Sequence, residues 1–161
     1  VAGLEGAEES VSEALDQGGV LARLHEALLA AGTPHVFVGA LPVLAWGRPR
    51  STTDFDLVVY CGPTDLERLT AALAARGIDR KSDFPSSDPA DPLPDMVIFW
   101  TAENPSVRVD VFVAKLEFER AVLATAKEAT IFGTRLMVAS PEASIIYKLI
   151  AHRSKDVGDV G

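Results

Sequence analysis

The chain has 161 residues, enough for one domain with a sizeable core, and its 48% hydrophobic and 24% charged residues exclude an intrinsically disordered polymer. Fifteen basic residues against 23 acidic ones leave a net charge of −8, which excludes a broad, sequence-blind nucleic-acid surface but not a local basic pocket for a triphosphate or an RNA end. The lone Cys61 cannot form an internal disulfide, no Cys/His cluster suggests zinc, and neither a signal peptide nor a membrane-length apolar run is visible, so a reducing, cytoplasmic setting is expected.

In chain order, Ser10 and Glu13 form a capping-box pattern that predicts a helix over residues 10–31. Leu15, Val20, Leu21, Leu24, Leu28 and Leu29 give it an apolar face, Gly18-Gly19 offer a break, and Gly32 and Pro34 end it. "HVFVG" reads as a strand and "ALPVLAW" as a short helix leading away from Gly39. "FDLVVY" is a second strand, stopped by Gly62-Pro63, and Thr64 with Glu67 predicts a new helix that runs to Gly77. Residues 79–94, rich in Pro, Ser and Asp, read as a loop. "DMVIFW" and "VRVDVFV" are two more strands, "LEFERAVLATA" a helix, and "ATIFGTRLMVA" a hairpin turning at Gly133-Thr134. Ser140 followed by Pro141 caps a last helix, "EASIIYKLIAHR". The order predicts an α/β (α+β) fold in a single domain over residues 1–161, with a mixed β-sheet.

Two strands carry acids in an unusual way. Side chains on a strand alternate between faces, so Asp54 and Asp56 project together while Phe55, Leu57 and Val59 project oppositely. In "VRVDVFV" the same rule puts Val107, Val109, Val111 and Val113 on one face and Arg108, Asp110 and Phe112 on the other. If the strands are neighbours, Asp54, Asp56 and Asp110 converge. Their mutual repulsion pushes one towards protonation unless a divalent cation neutralises them, and an all-oxygen donor set favours Mg²⁺ or Mn²⁺. Such sets hold metals for in-line phosphoryl displacement. Taken alone, a D-x-D on an exposed strand face is more often a pair of solvated side chains.

The upstream context sharpens the reading. In "HVFVGALPVLAWGRPRSTTDFDLVV" a strand ends at Gly39, whose missing Cβ admits another group. A helix start follows, offering free amides to an anion, and the paired acids come some fifteen residues later. Arg48 and Arg50, flanking Pro49, carry guanidinium forks suited to phosphate oxygens. Trp46 and Trp100 read as core or rim aromatics, and His25, His35 and His152 are isolated.

This unit resembles the DNA polymerase β-like nucleotidyltransferase superfamily, whose signature is a Gly-Gly or Gly-Ser turn, a short helix, and D-x-D on the next strand. The form Arg50-Ser51-Thr52-Thr53-Asp54-Phe55-Asp56-Leu57 looks most like AbiEii-type toxins and related uncharacterised bacterial nucleotidyltransferases, and aminoglycoside nucleotidyltransferases have a similar stretch. Asp110 matches the superfamily's third acid, and Lys148, Arg153, Lys155, Asp156 and Asp159 fall where its last motif lies.

The resemblance implies a nucleotidyltransferase fold with helices packed on one sheet face and an acidic cleft on the other. It implies transfer of NMP from an NTP to an acceptor hydroxyl on tRNA, protein or an aminoglycoside-like small molecule. Asp54, Asp56 and Asp110 would be catalytic residues and ligands of Mg²⁺ or Mn²⁺; Gly39, Ala40, Arg50, Thr53 and Lys148 would contact the nucleotide. It also implies the option of an antitoxin partner, and leaves open a further C-terminal helical part. Ala40 departs from the pattern: a serine there would hold the triphosphate through its hydroxyl, and alanine cannot. That departure keeps a second reading in play, a catalytically inactive member of the fold serving as a partner-binding or sensor subunit. A third is a Mg²⁺-dependent phosphohydrolase using the same acids.

Overall fold

The computed structural model describes residues 2–46, 54–103, 105–147 and 149. Its elements are α1 (Ala2–Ala31), β1 (His35–Val38), α2 (Ala40–Trp46), β2 (Asp54–Val59), α3 (Pro63–Ala74), β3 (Ile78–Phe84), β4 (Met96–Thr101), β5 (Arg108–Val113), α4 (Glu117–Ala124), β6 (Lys127–Ile131) and β7 (Thr134–Val138). A last helix, α5, covers residues 141–147. The strands form one seven-stranded sheet in the order β3-β4-β5-β2-β1-β7-β6. It is mixed: β2 runs parallel to β5 and β1 parallel to β7, while the other neighbours are antiparallel. Among the described residues no helix is long and apolar enough to cross a membrane.

The sheet is packed on both faces, unequally. Phe55, Leu57 and Val59 of β2, with Val109, Val111 and Val113 of β5, lie under α1 and α3 in the larger core, which includes Leu21, Leu24, Leu28, Leu66, Leu69 and Leu73. This is the apolar face that the alternation in both strands predicts. The opposite face is not left bare. Val36, Val38 and Val58 meet Val122 of α4 and Ala143 of α5 in a second, smaller core. That cover explains why β2 ends in three consecutive buried residues, Leu57, Val58 and Val59, while its start stays open at Asp54 and Asp56. The acid-bearing face is thus half core and half cleft.

Four local expectations are corrected. The first helix runs unbroken from Ala2 through Gly18-Gly19, so Ser10 and Glu13 sit inside it and not at its start. Each interior glycine costs roughly 1 kcal/mol of helix propensity, but Leu21, Leu24 and Leu28, all at 1% exposure or less, each return roughly 1.5–3 kcal/mol on burial. Gly18 also has a packing use, because a Cβ there would lie 3.2 Å from Cβ of Phe132 in the β6–β7 turn. Helix α3 starts at Pro63, not after Thr64. Gly62 is its cap, and the Asp65 carboxylate accepts the Gly62 N–H at 2.9 Å.

The predicted loop at 79–94 begins as strand β3, an edge strand paired to β4 with a bulge between Arg80 and Ser82. From Lys81 to Phe84 successive residues are all exposed, so both faces of the strand meet solvent there and no apolar alternation betrays it. Arg80 ties it down through Asp83 at 2.9 Å and through Glu67 of α3 at 3.4 Å. The hairpin turns on Phe132-Gly133, one residue before the expected Gly133-Thr134. Both residues have positive φ, 49° and 80°, as a two-residue primed turn requires. The capping of the last helix is as predicted: Ser140 Oγ accepts the Ala143 N–H at 3.1 Å.

One buried titratable group makes the fold acid-sensitive. His35 sits edge-on between His25 and Phe37, with Nδ1 2.8 Å from the Thr33 carbonyl. Burial holds its pKa below the ordinary 6.5, and the His25 charge lowers it further against the opposing Thr33 contact. On acidification the unfolded chain therefore takes up this proton first, near pH 6.5, and the folded state loses stability as pH falls below that value. Relative to wild type, His35→Phe is expected to gain urea stability between pH 7.5 and pH 5.5. An unchanged pH dependence in the variant would show that another group is responsible.

Candidate active site

The acidic cleft is built by strand register. β2 and β5 are adjacent and parallel, with Asp54 opposite Arg108 and Asp56 opposite Asp110. Facing residues on neighbouring strands project to the same side, so Asp54, Asp56, Arg108 and Asp110 share one face. Across the antiparallel pair, Val38 of β1 lies opposite Asp56, placing the end of β1 at the edge of the cleft. On the other flank Ile98 lies opposite Asp110 and Trp100 opposite Arg108.

Gly39 follows β1 directly. Its φ is +73°, and a Cβ built there would overlap Asp56 Oδ2 and come within 3.2 Å of the Asp56 Cβ. Only glycine satisfies both demands: it tolerates the left-handed backbone, and it leaves room for the carboxylate against the chain. The turn is therefore moulded around Asp56. Ala40 begins α2 immediately afterwards and is half-buried.

Electrostatics single out Asp56. Burial is the largest cause of its raised pKa, followed by the charges of Asp110 and Asp54 and a hydrogen bond with Asp110; Arg108 opposes the shift. Together they push Asp56 up to about 6 from 3.8. Arg108 Nε donates to Asp110 Oδ1 at 2.7 Å, with the Asp110 side chain only 13% exposed. The arginine's own pKa is raised, first by that hydrogen bond and then by the charges of Asp110, Asp54 and Asp56.

The three sequence-predicted acids thus stand on one face, but they do not meet at a point. Among the described residues, no three acidic, histidine or cysteine side chains are gathered as a ready metal-binding group. The reason is visible in the contacts: Asp110 turns one oxygen to Arg108, and Asp54 lies one step further along the strand, at the exposed end. The donor chemistry nonetheless fits a hard divalent cation, being all oxygen and including a carboxyl whose pKa is raised by burial and then by the neighbouring carboxylates. Of the predicted nucleotide contacts, Gly39 lies against Asp56 and Ala40 follows it at the start of α2, whereas Arg50, Thr53 and Lys148 lie outside the described residues. So do Arg48, Arg153, Lys155, Asp156 and Asp159.

Three features escaped the sequence reading or were left without a role. Arg108 was placed on the acid face by strand alternation, and its i,i+2 spacing to Asp110 was the available signal for the ion pair. Tyr147 stacks on Phe118 at 6.2 Å between centroids and meets Phe112 edge-on at 6.4 Å. Burial, then the charges of Glu119 and Asp56, push its phenol up to about 12, so it stays neutral. Ser144 lies one turn earlier on α5, beside a cleft shared with Gly39; nothing in the local sequence marks it. Trp46 is a rim residue whose Nε1 donates to the Ala139 carbonyl at 3.0 Å. Cys61 is half-buried, and burial and Asp65 push its thiol up to about 11, so it is no reactive thiolate.

Comparison with known proteins adds an independent line. Among solved structures the chain is similar to the Thermotoga maritima protein TM1012, with a TM-score of 0.62 at 14% identity, covering 88% of each chain. It is similar to the antibiotic-resistance factor ANT(2'')-Ia in complex with adenylyl-2''-tobramycin, with a TM-score of 0.59 at 15% identity over 86% of this chain and 78% of that one. An antigenic nucleotidyltransferase-like protein from Paracoccidioides brasiliensis gives a TM-score of 0.57 at 21% identity, over 87% and 66%. At these identities the likeness is one of fold. No curated protein sequence matches. The model of a nucleotidyl transferase family of unknown function (DUF2204) matches residues 19–160, a span that contains both acid-bearing strands and the Gly39 turn. With that match and this fold, the chain belongs to the DUF2204 nucleotidyl transferases.

Proposed function

We propose that the chain transfers a nucleoside monophosphate from an NTP to an acceptor hydroxyl in the cleft between the Gly39 turn and the β2–β5 acids. The observation that carries this is the in-register pairing of Asp56 with Asp110, directly against a glycine turn whose missing Cβ admits the Asp56 carboxylate. Asp54 and Asp56 would hold Mg²⁺ or Mn²⁺, with Asp110 as the third ligand. The cation's contribution is to neutralise phosphate charge during displacement.

The chain's own groups do the rest. The Gly39-Ala40 turn would seat the β- and γ-phosphates. Arg50, Thr53 and Lys148 add contacts to the nucleotide, the two cations among them offsetting charge as pyrophosphate departs. Asp110 has one oxygen held by Arg108, and it helps activate the acceptor hydroxyl either as general base or as a ligand of the cation. Arg108 thereby orients that carboxylate without touching the reacting atoms. For the acceptor, an aminoglycoside-like small molecule, tRNA or a protein hydroxyl each suits a cleft open to solvent. An antitoxin partner would belong to the same reading if the transfer is toxic.

Incubation with α-labelled NTPs, Mg²⁺ or Mn²⁺, and pools of aminoglycosides, tRNA and protein is expected to label one pool and release pyrophosphate. Release of free phosphate alone would favour a phosphohydrolase. Absence of label from every NTP, with Asp110→Asn binding nucleotide as the wild type does, would retire the transferase reading. The alternative of an inactive, partner-binding member is favoured by Ala40 and by the incomplete gathering of the acids. It predicts no measurable Mg-NTP binding alongside tight capture of a protein partner.

A further inference from the structure

We propose that Ser144 supplies, from the opposite wall of the cleft, the hydroxyl donor to the nucleotide's phosphate tail that the Gly39-Ala40 turn lacks. The inference rests on the reading of this cleft as a nucleotide site. A cavity of about 140 Å³ lies between the end of β1 and α5, lined by Val38, Gly39, Val43, Ser144, Ile145 and Tyr147. Pockets that enclose a whole drug-sized ligand measure roughly 300–1,000 Å³, so this one takes an end group and not a complete nucleotide. Gly39 borders both this cavity and the Asp56 carboxylate, so a group seated here is a near neighbour of one held at the acids. Four of its six lining residues offer no side-chain polar atom. The hydroxyls of Ser144 and Tyr147 are what the side chains can present to an anion.

Ser144 is both available and held in place. Its Oγ reaches the Ala139 carbonyl at 3.4 Å, a long hydrogen bond that a charged phosphate oxygen outcompetes. The helix bearing it is anchored on either side. Ser140 caps its first turn, and Tyr147, three residues on, is seated against Phe112 and Phe118. Phe112 in turn lies on the same strand face as Asp110, two residues away. The aromatic seat therefore fixes the distance between α5 and the acids, and little freedom is lost when Ser144 engages a ligand.

Titration calorimetry of the whole chain with MgATP, MgADP and AMP tests this. Ser144→Ala is expected to weaken ATP and ADP binding about tenfold, the usual scale for a hydrogen bond to a charged group, and to leave AMP unchanged. Ser144→Thr, which keeps the hydroxyl, is expected to bind ATP within about threefold of wild type, well short of that loss. Wild-type ATP affinity in Ser144→Ala would overturn the inference, as would an equal loss for AMP. A Ser144→Thr variant as weak as Ser144→Ala would do the same, since the effect would then be packing. A wild-type chain that binds none of the four NTPs or their diphosphates would overturn the nucleotide reading itself, and this inference with it.

Discussion

Replacing Asp56 by Asn is expected to make the metal-free protein more stable and the transfer reaction about a thousandfold slower, the upper range for losing one preorganised electrostatic group. The stability gain follows from linkage. Asp56 has its folded pKa raised to about 6 from 3.8, so between those values the folded state holds a proton that the unfolded chain has released. Stability therefore falls as pH rises from about 4 to about 6, and above that the full penalty of an ionised, desolvated carboxylate is in place. A rise from 3.8 to about 6 corresponds to on the order of 3 kcal/mol. Asparagine carries no charge and keeps the shape, so a gain of about 1–3 kcal/mol at pH 8 is expected, shrinking at pH 5 where Asp56 is already neutral. Chelator-treated protein should be melted at both pH values. A variant no more stable than wild type at pH 8 would mean that Asp56 is not strained by its neighbours. Such a trade of stability for charge is characteristic of sites selected for activity.

The second large effect is expected at Gly39. Gly39→Ala meets two separate obstacles: a left-handed backbone, worth roughly 1–2 kcal/mol against any side chain, and overlap with the Asp56 carboxylate. Together these are expected to cost about 3 kcal/mol, or to displace Asp56 and abolish nucleotide binding. The two parts can be separated, because Asp56→Ala removes the overlapping oxygen and leaves the backbone strain. In a double-mutant cycle the Gly39→Ala penalty is expected to fall by about 1–2 kcal/mol in the Asp56→Ala background. Strict additivity of the two substitutions would refute the close approach of turn and carboxylate.

Both predictions concern a pair of residues 17 positions apart, and neither could have been given a magnitude from the sequence. The alternation in "DFDLVV" and "RVDVFV" was enough to assign the faces of β2 and β5, because a period of two admits only two answers and the apolar residues choose between them. Likewise, a glycine closing a buried strand announces a backbone that must admit a neighbour. Where local signals were weak the reading failed. β3 has the composition of a loop because an edge strand takes its order from its partner, β4. The Gly18-Gly19 pair reads as a break because propensity cannot register the leucines that hold the helix through it.

The chain's own pattern settled the class of fold, the apolar face of each central strand, and the acids on the reverse side, since these follow from side-chain period and burial alone. Tertiary structure decided the adjacency of β2 and β5, the registration of Asp56 on Asp110, the Arg108 contact that diverts Asp110, and the covering of half the acid face by α4 and α5. These depend on strand order and helix docking. Such long-range choices are made by the summed packing of distant segments, and no local stretch of sequence carries that sum.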